Sequence, residues 1–213
     1  MRTERVKVGA GVVRLRPGKR SDAPAWSIAR LRDRDALEKV EPTISDPWEV
    51  ANTKRRYRKL LSTARKMEAE HTAVVAVIEV NGRFAGELTL GGVRGFPSST
   101  CWIGYWVSSE YAGGGVGTAA VALAVDYARA MGIHRIEATV LEENVASRAI
   151  LARCGFQEEG VARSLFNIDG RWRDHILVAR LAADPPSPTV AHLDRSGHLS
   201  ILRGEELPGI ENH

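Results

Sequence analysis

Tyr111-Ala112-Gly113-Gly114-Gly115-Val116-Gly117-Thr118 places four glycines between a strand-like run and a long apolar stretch. Glycine lets backbone N–H groups converge with no Cβ in the way, and a helix starting near Thr118 adds unpaired N–H groups and the positive end of its dipole. The pattern predicts an anion cradle, and its natural guest is the pyrophosphate of a nucleotide-bearing cofactor. Two other phosphate motifs do not fit. A P-loop ends in Gly-Lys-Ser/Thr, where this chain has Gly-Val-Gly-Thr. A dinucleotide fingerprint spaces its glycines Gly-x-Gly-x-x-Gly in the first strand-to-helix unit, whereas Gly113-x-Gly115-x-Gly117 sits mid-chain. A turn that only permits tight strand–helix packing remains the alternative.

Working outward, Thr100–Val107 reads as the strand before the loop and Thr118–Met131, nearly all apolar, as a covered helix stopped by Gly132. Ile133–Val140 is a further strand. Asn144 caps a helix running to Cys154, with Gly155 at a left-handed exit and Phe156 packing back. Val161–Asn167 and Trp172–Leu181 complete the strands. Upstream, Val12–Arg16 is a strand and Ser21-Asp22 opens a helix toward Leu31. Asp46-Pro47-Trp48-Glu49 predicts a second helix start, with Asp46 as the N-cap, Pro47 first and Glu49 third. From there Tyr57, Leu60, Leu61 and Ala64 fall on one stripe, while Lys54, Arg55, Arg56, Arg58 and Lys59 crowd the other faces as a solvated surface or a contact for an acidic or RNA-rich partner. Ala73–Val80 and Phe84–Leu90 flank Asn81-Gly82, a hairpin signal. This order gives an α/β (α+β) fold with helices on both faces of a sheet.

At 213 residues, 44% hydrophobic and 26% charged, the chain buries one substantial core but not two. The boundaries expected are a domain over 1–182 and a tail over 183–213. That tail opens with Ala183-Asp184-Pro185-Pro186-Ser187-Pro188, a stiff linker, and then offers either disorder or a small hairpin of Thr189–Leu193 and His198–Leu202. No apolar run is long enough to span a membrane and no targeting core follows Met1, so the expected location is the cytoplasm. Cys101 and Cys154 lack metal spacing and read as small buried hydrophobes; no metal is expected. Residues 1–182 hold 28 basic and 21 acidic residues, a charge of +7 where the whole chain carries +4. That balance suits a phosphorylated cofactor; direct nucleic-acid binding is not expected from it.

The run Trp102-Ile103-Gly104-Tyr105-Trp106-Val107, the glycine loop, Asn144-Val145-Ala146-Ser147 and Cys154-Gly155-Phe156 together resemble the GNAT acetyltransferase superfamily. Its acyl-CoA loop, Gln/Arg-x-x-Gly-x-Gly/Ala, falls on Ala112 to Gly117, with Ala112 departing from the usual side chain. Ile168-Asp169-Gly170-Arg171-Trp172-Arg173-Asp174-His175 looks like the ribosomal-protein alanine N-terminal acetyltransferase branch. The resemblance spans about Val12–Leu181. It implies a mixed, mostly antiparallel sheet of about seven strands, and acetyl-CoA as co-substrate. The implied acceptor is the α-amine of a protein N-terminus, with a ribosomal protein as the partner class, in a monomer or homodimer. A small-molecule amine or aminoglycoside acetyltransferase is the alternative, and a CoA-sensing, ribosome- or RNA-associated module is the reading from another class.

The same resemblance distributes the roles. Trp106, Val107 and Ser108, on a strand that splays from its neighbour, would bind pantetheine. Gly113, Gly114, Gly115, Val116, Gly117 and Thr118 would hold the pyrophosphate, and Asn144 the pantetheine arm. Ser147 would protonate the departing sulfur and touch the cofactor. For the base, Glu87 and Glu110 are the nearest carboxylates and His175 the histidine within the signature; Asp174 would anchor Arg171 or Arg173. An α-amine, with pKa about 7.7–8.0, is roughly a tenth neutral near pH 7, while a lysine near 10.4 is neutral in fewer than about one molecule in a thousand. A protein N-terminus thus needs no strong base.

Overall fold

The computed structural model describes residues 1–202. Its strands are β1 Val6–Val8, β2 Gly11–Arg16, β3 Ala73–Val80, β4 Arg83–Arg94, β5 Thr100–Val107, β6 Arg135–Val140, β7 Gln157–Ile168, β8 Arg171–Leu181 and β9 Ser200–Ile201. The helices are α1 Ala23–Arg32, α2 Arg34–Leu37, α3 Trp48–Ala51, α4 Lys54–Ala69, α5 Val116–Ala130, α6 Val145–Arg153 and α7 Thr189–Arg195. All nine strands form one sheet in the order β7-β8-β6-β5-β4-β3-β2-β1-β9, antiparallel except for β5 against β6. The mixed, mostly antiparallel sheet with helices on both faces is as expected, but the strand number is nine rather than seven. The two additions, β1 and β9, are three and two residues long, β1 pairing along its whole length with β2 and giving its other edge to β9.

The main core lies between the sheet and α5, whose Ala119 to Val125 are all buried. Four alanines in that run let the helix sit close to the strands. On the opposite face, Ala23, Trp26, Tyr57, Val77 and Phe84 form a second apolar cluster under α1 and α4. The Asn81-Gly82 turn takes positive φ at both positions, 49° and 81°, as a two-residue hairpin requires. Arg16 is buried on β2, makes bidentate bonds of 2.8 and 2.7 Å to Asp22, and pairs with Glu79 on β3, fixing where α1 begins.

Three local expectations are corrected. Asp46 does not cap a helix; it faces Arg56 at 3.9 Å, and α3 stops after four residues. The long helix restarts at Thr53, whose Oγ1 accepts from Arg56 N. On α4, Leu60 is 44% exposed, so the buried stripe narrows to Tyr57 with Leu61 packed beside it. Thr189–Leu193 is not half of a hairpin but the start of α7, which packs on α5. Both carboxylate oxygens of Asp126 on α5 accept from the N–H groups of Thr189 and Val190, at 2.8 and 2.9 Å, capping α7 from across the fold. The preceding prolines are held by Arg129 to the Asp184 carbonyl and by Arg180 to the Pro186 carbonyl. The part of the expected tail over 203–213 lies outside the described residues. Among the described residues no helix is long and apolar enough to cross a membrane.

Candidate active site

The glycine loop follows a 3-10 turn over Ser109–Tyr111 and leads into α5. Gly113 and Gly115 take φ of 73° and 82°, the left-handed region, and Gly115 is the helix N-cap. Among the described residues none of the six N–H groups from Gly113 to Thr118 donates to a protein acceptor. A Cβ at Gly113 would meet nothing within 4 Å, so the loop is open at that position. The other two glycines serve packing: a Cβ at Gly114 would lie 2.5 Å from Ala10 Cβ, and one at Gly117 2.7 Å from Ile150 Cδ1. One loop thus combines N–H groups without protein acceptors and tight packing, the features of the two alternatives read in the sequence. Six free N–H groups at a helix start fit a pyrophosphate. Arg153 of α6 adds a cation at the rim, its Nη1 3.5 Å from Thr118 Oγ1, near a loop whose Ala112 offers none.

The strand before the loop opens a cleft. β5 pairs with β6 only through Thr100–Trp102 against Arg135–Glu137; from Ile103 onward the two strands part. Trp106 and Val107 lie on the diverging half, and alternate backbone groups there face the gap. Ser108 does not: its N–H donates to the Ala85 carbonyl at 2.8 Å and its hydroxyl accepts from Arg32 Nη2 at 2.5 Å. Ser108 is therefore removed from the expected pantetheine contacts, because the protein already uses both groups.

Two chemical clusters occupy opposite faces of β5, since successive side chains alternate. On the α5 face, Tyr105 Oη is 3.0 Å from Ser147 Oγ. Asn144 Oδ1 accepts from Ser147 N at 3.1 Å, so Asn144 caps α6 while fixing Ser147 on its first turn. Burial pushes the Tyr105 phenol well above its ordinary range, against a smaller lowering by the Ser147 hydrogen bond. On the other face Glu87 pairs in register with Trp106 and accepts from Trp26 Nε1 at 2.7 Å. Burial raises the Glu87 carboxyl to about 7, opposed by the Trp26 and Trp106 hydrogen bonds and by Arg30. Arg30 lies 4.7 Å from the Trp48 ring and 5.2 Å from that of Trp106, with Glu41 bound bidentately at 2.5 and 2.6 Å.

The other base candidates stand elsewhere. Glu110 is exposed and paired with Arg32 at 2.5 Å. That ion pair belongs to a brace: Asp33 accepts from Ser109 N at 2.9 Å and Ser109 Oγ at 2.6 Å, and Arg32 binds Asp33 at 2.8 Å. Burial would raise the Asp33 carboxyl, but Arg32 and Ser109 hold it below the usual range. The brace ties α1 to the residues just ahead of the cradle. His175 is buried, its Nδ1 3.1 Å from the Arg173 carbonyl and its ring edge-on to Phe166. Asp174 anchors neither arginine; it accepts from Ser164 N at 2.7 Å and closes a bulge in β7. The sequence reading missed Tyr105, Trp26, Arg30, Arg32, Asp33 and Arg153. Only Tyr105 carried a signal, its place within the quoted strand.

Two cavities lie away from the cradle. One of about 590 Å³ is bordered by Glu143, Arg148, Trp172, Arg173 and His175. A smaller one of about 350 Å³ shares Glu143 and Arg173 with it and adds Asn144, Ile168 and Lys39. Residues of the Ile168–His175 signature thus border both cavities, and the smaller one includes Asn144. Among the described residues no cluster of three or more His, Cys, Asp or Glu could hold a metal ion.

Comparison with known proteins agrees with this geometry. Residues 13–157 match the acetyltransferase (GNAT) domain model. A probable N-acetyltransferase of Bacillus subtilis, YjcK, is 31% identical over 80% of this chain and 94% of its own length. The ribosomal protein uS5-alanine N-acetyltransferase of Escherichia coli is 40% identical over a shorter stretch, 39% of this chain and 44% of its own. Mycobacterium smegmatis RimJ in complex with CoA-disulfide is 40% identical and superposes with a TM-score of 0.93, over 95% of this chain and 97% of that one. With a family match over more than half its length, a splayed β5–β6 cleft and a free-amide cradle, this chain belongs to the GNAT acetyltransferases and is an acetyl-CoA-dependent N-acetyltransferase.

Proposed function

We propose that the enzyme acetylates the α-amine of a protein N-terminus, with a ribosomal protein as acceptor. The observation that carries this reading is a carboxylate placed at the open end of β5, Glu87, which accepts from Trp26 Nε1 at 2.7 Å and pairs in register with Trp106 beside Arg30, with burial raising its carboxyl to about 7. A base of that strength lies about one unit below an α-ammonium, so taking its proton costs about 1.4 kcal/mol; a lysine ammonium, over three units away, costs more than about 4 kcal/mol. Such a base favours an α-amine over a lysine as acceptor. The relatives named for ribosomal-protein N-terminal acetylation support the same choice of acceptor.

Acetyl-CoA supplies the activated acyl group. N–H groups of Gly113 to Thr118 bind its pyrophosphate, with Arg153 at the rim, and the free edge of β5 at Trp106 and Val107 receives the pantetheine as an added strand. Asn144, its Oδ1 committed to Ser147 N, offers its amide Nδ2 to the arm. Glu87 takes the proton of the incoming amine from one face of the sheet. Ser147 donates a hydrogen bond to the leaving sulfur from the other face, with Tyr105, held protonated, bonded behind it, and the thiolate takes its proton from solvent. Acceptor and cofactor thus approach the gap from opposite sides. The test is Glu87→Gln assayed on an Ala-initiated peptide across pH 5.5–9. Wild-type kcat/KM rises through about 7 and then flattens as the amine is itself deprotonated; the variant loses about 10²–10⁴ in kcat and the limb near 7. A variant that keeps that limb eliminates Glu87 as the base.

A further inference from the structure

We infer that the outer face of α4 is a docking surface for the phosphate backbone of RNA. Lys54, Arg55, Arg58, Lys59, Arg65 and Lys66 are all exposed. At 100° per residue these six, with Ser62, fill roughly 140° of the helix circumference and run about 18 Å along it. Among the described residues only Lys66 of this set faces a carboxylate, Glu70 at 3.8 Å. The rest form an unneutralised stripe, which composition could not show because it scattered the cations over the sequence rather than over one surface.

The stripe works against its own helix. No acidic residue occupies the first turn of α4, and Lys54 and Arg55 there oppose the positive end of the dipole. Lys54–Arg58 and Arg55–Lys59 are like-charge i,i+4 pairs, each destabilising by about 0.2–0.5 kcal/mol. A polyanion offsets these terms.

Three observations choose RNA among polyanions. The buried side of α4 is occupied, Tyr57 packing against Trp26 with ring centroids 5.3 Å apart, and Leu60 alone is left 44% exposed beside the stripe, one side chain rather than the apolar face that a lipid surface needs. The basic face contains no aromatic or aliphatic anchor, only Ser62, whereas protein interfaces are built around such anchors. Arginine and lysine repeated along a rod match a regularly charged backbone. Tyr57 also places the stripe one helix width, about 10 Å, behind Trp26 and thus behind Glu87, so RNA held there lies beside the catalytic face.

The test titrates the full chain into a fluorescein-labelled RNA hairpin by fluorescence anisotropy between 50 and 200 mM KCl. Parallel titrations use poly-glutamate and phosphatidylserine vesicles. Wild type is expected to bind the hairpin below about 100 μM. Three to four neutralised phosphates on the duplex stem would give a log K against log[KCl] slope of about −3 to −4. The variant R55E/R58E/K59E is expected to lose at least thirtyfold and to flatten that slope. K7E/R83E/R94E, an equal charge change on exposed residues elsewhere, is expected to lose less than threefold. Because a glutamate at 55 suits the helix start, one at 58 turns the like-charge pair with Lys54 into an attractive one, and the 55/59 pair stays like-charged as before, the α4 variant should melt no earlier than wild type and acetylate a short peptide normally. Equal losses in the two triple variants, no hairpin binding by wild type, or tighter binding to poly-glutamate or vesicles would each overturn the inference. This outcome is independent of which amine the enzyme acetylates.

Discussion

Placing a single negative charge in the glycine cradle separates its binding role from its packing role, and Gly113 is the position where this can be done. A Cβ there meets nothing within 4 Å, whereas at Gly115 it would press on Val8 Cβ at 3.2 Å and at Gly114 strike Ala10. The φ of 73° is one that Asp and Asn tolerate better than other side chains, at about 1–2 kcal/mol of strain against a total stability of about 5–15. Gly113→Asp should therefore fold. With a pyrophosphate held by these N–H groups, separations of about 4 and 7 Å from the carboxylate to its two phosphoryl charges set the scale. The repulsion is about 1.5 kcal/mol with water-like screening and about 6 kcal/mol at an effective dielectric of 20. Since 1.4 kcal/mol is a factor of ten, CoA affinity measured by calorimetry should fall at least about tenfold, and less at 0.5 M salt. Gly113→Asn has the same shape and strain but no charge, and should stay within about threefold of wild type. Folded Asp and Asn variants that both bind CoA as wild type does would refute pyrophosphate binding by these amides.

Ser147→Ala should lower kcat by about 10²–10⁴ with little change in CoA affinity, and Tyr105→Phe should lower it less; a Ser147→Ala enzyme that melts earlier yet turns over normally would leave Ser147 with only a structural role. Glu87→Gln also carries a stability signature. A carboxyl raised from 4.5 to about 7 stabilises the fold fully below about 4.5 and loses that contribution as pH rises through 7. The melting-temperature advantage of the variant should therefore grow between pH 5 and 8, toward a limit on the order of 3 kcal/mol, and a pH-independent difference would contradict the burial of Glu87. Asp126→Ala removes both acceptors at the start of α7 and should cost about 1 kcal/mol, or about 2–4 °C in melting temperature; an unchanged melt would mean that α7 is held by packing alone.

What was legible in the sequence rests on neighbours along the chain. The glycine loop, the Asn81-Gly82 hairpin, the apolar α5 and the Asn144-to-Gly155 helix each announce themselves within one or two turns of backbone, and each is observed. The splay of β5 from β6 came from the family resemblance, and the pairing of only three residues bears it out. What was not legible depends on partners far apart in sequence. Tyr105 meets Ser147 across 42 positions, Trp26 reaches Glu87 across 61, and Asp126 caps α7 across 63. Glu87 and Glu110 look alike as residues in a sequence; burial under Trp26 and Trp106 raises one, and Arg32 claims the other. Ser108 failed as a cofactor contact for the same reason, since Ala85 and Arg32 arrive from other elements. The strand β1 has too few residues for a pattern and is held between β2 and β9, while β9 falls within the expected His198–Leu202 segment but pairs with β1 rather than with Thr189–Leu193.

The central claim is acetyl transfer to a protein α-amine, and a direct comparison of two peptides tests it. One begins with free Ala and has no lysine; the other has the same sequence, a blocked N-terminus and two internal lysines. Both are incubated with the enzyme and labelled acetyl-CoA and read by mass spectrometry at pH 7.5. The expected result is one acetyl group on the α-amine of the first peptide, at a rate at least about tenfold above any transfer to the second, as the neutral fractions of the two amines require. Equal rates on the two peptides, or transfer only to a polyamine or amino sugar in a parallel reaction, would contradict the claim.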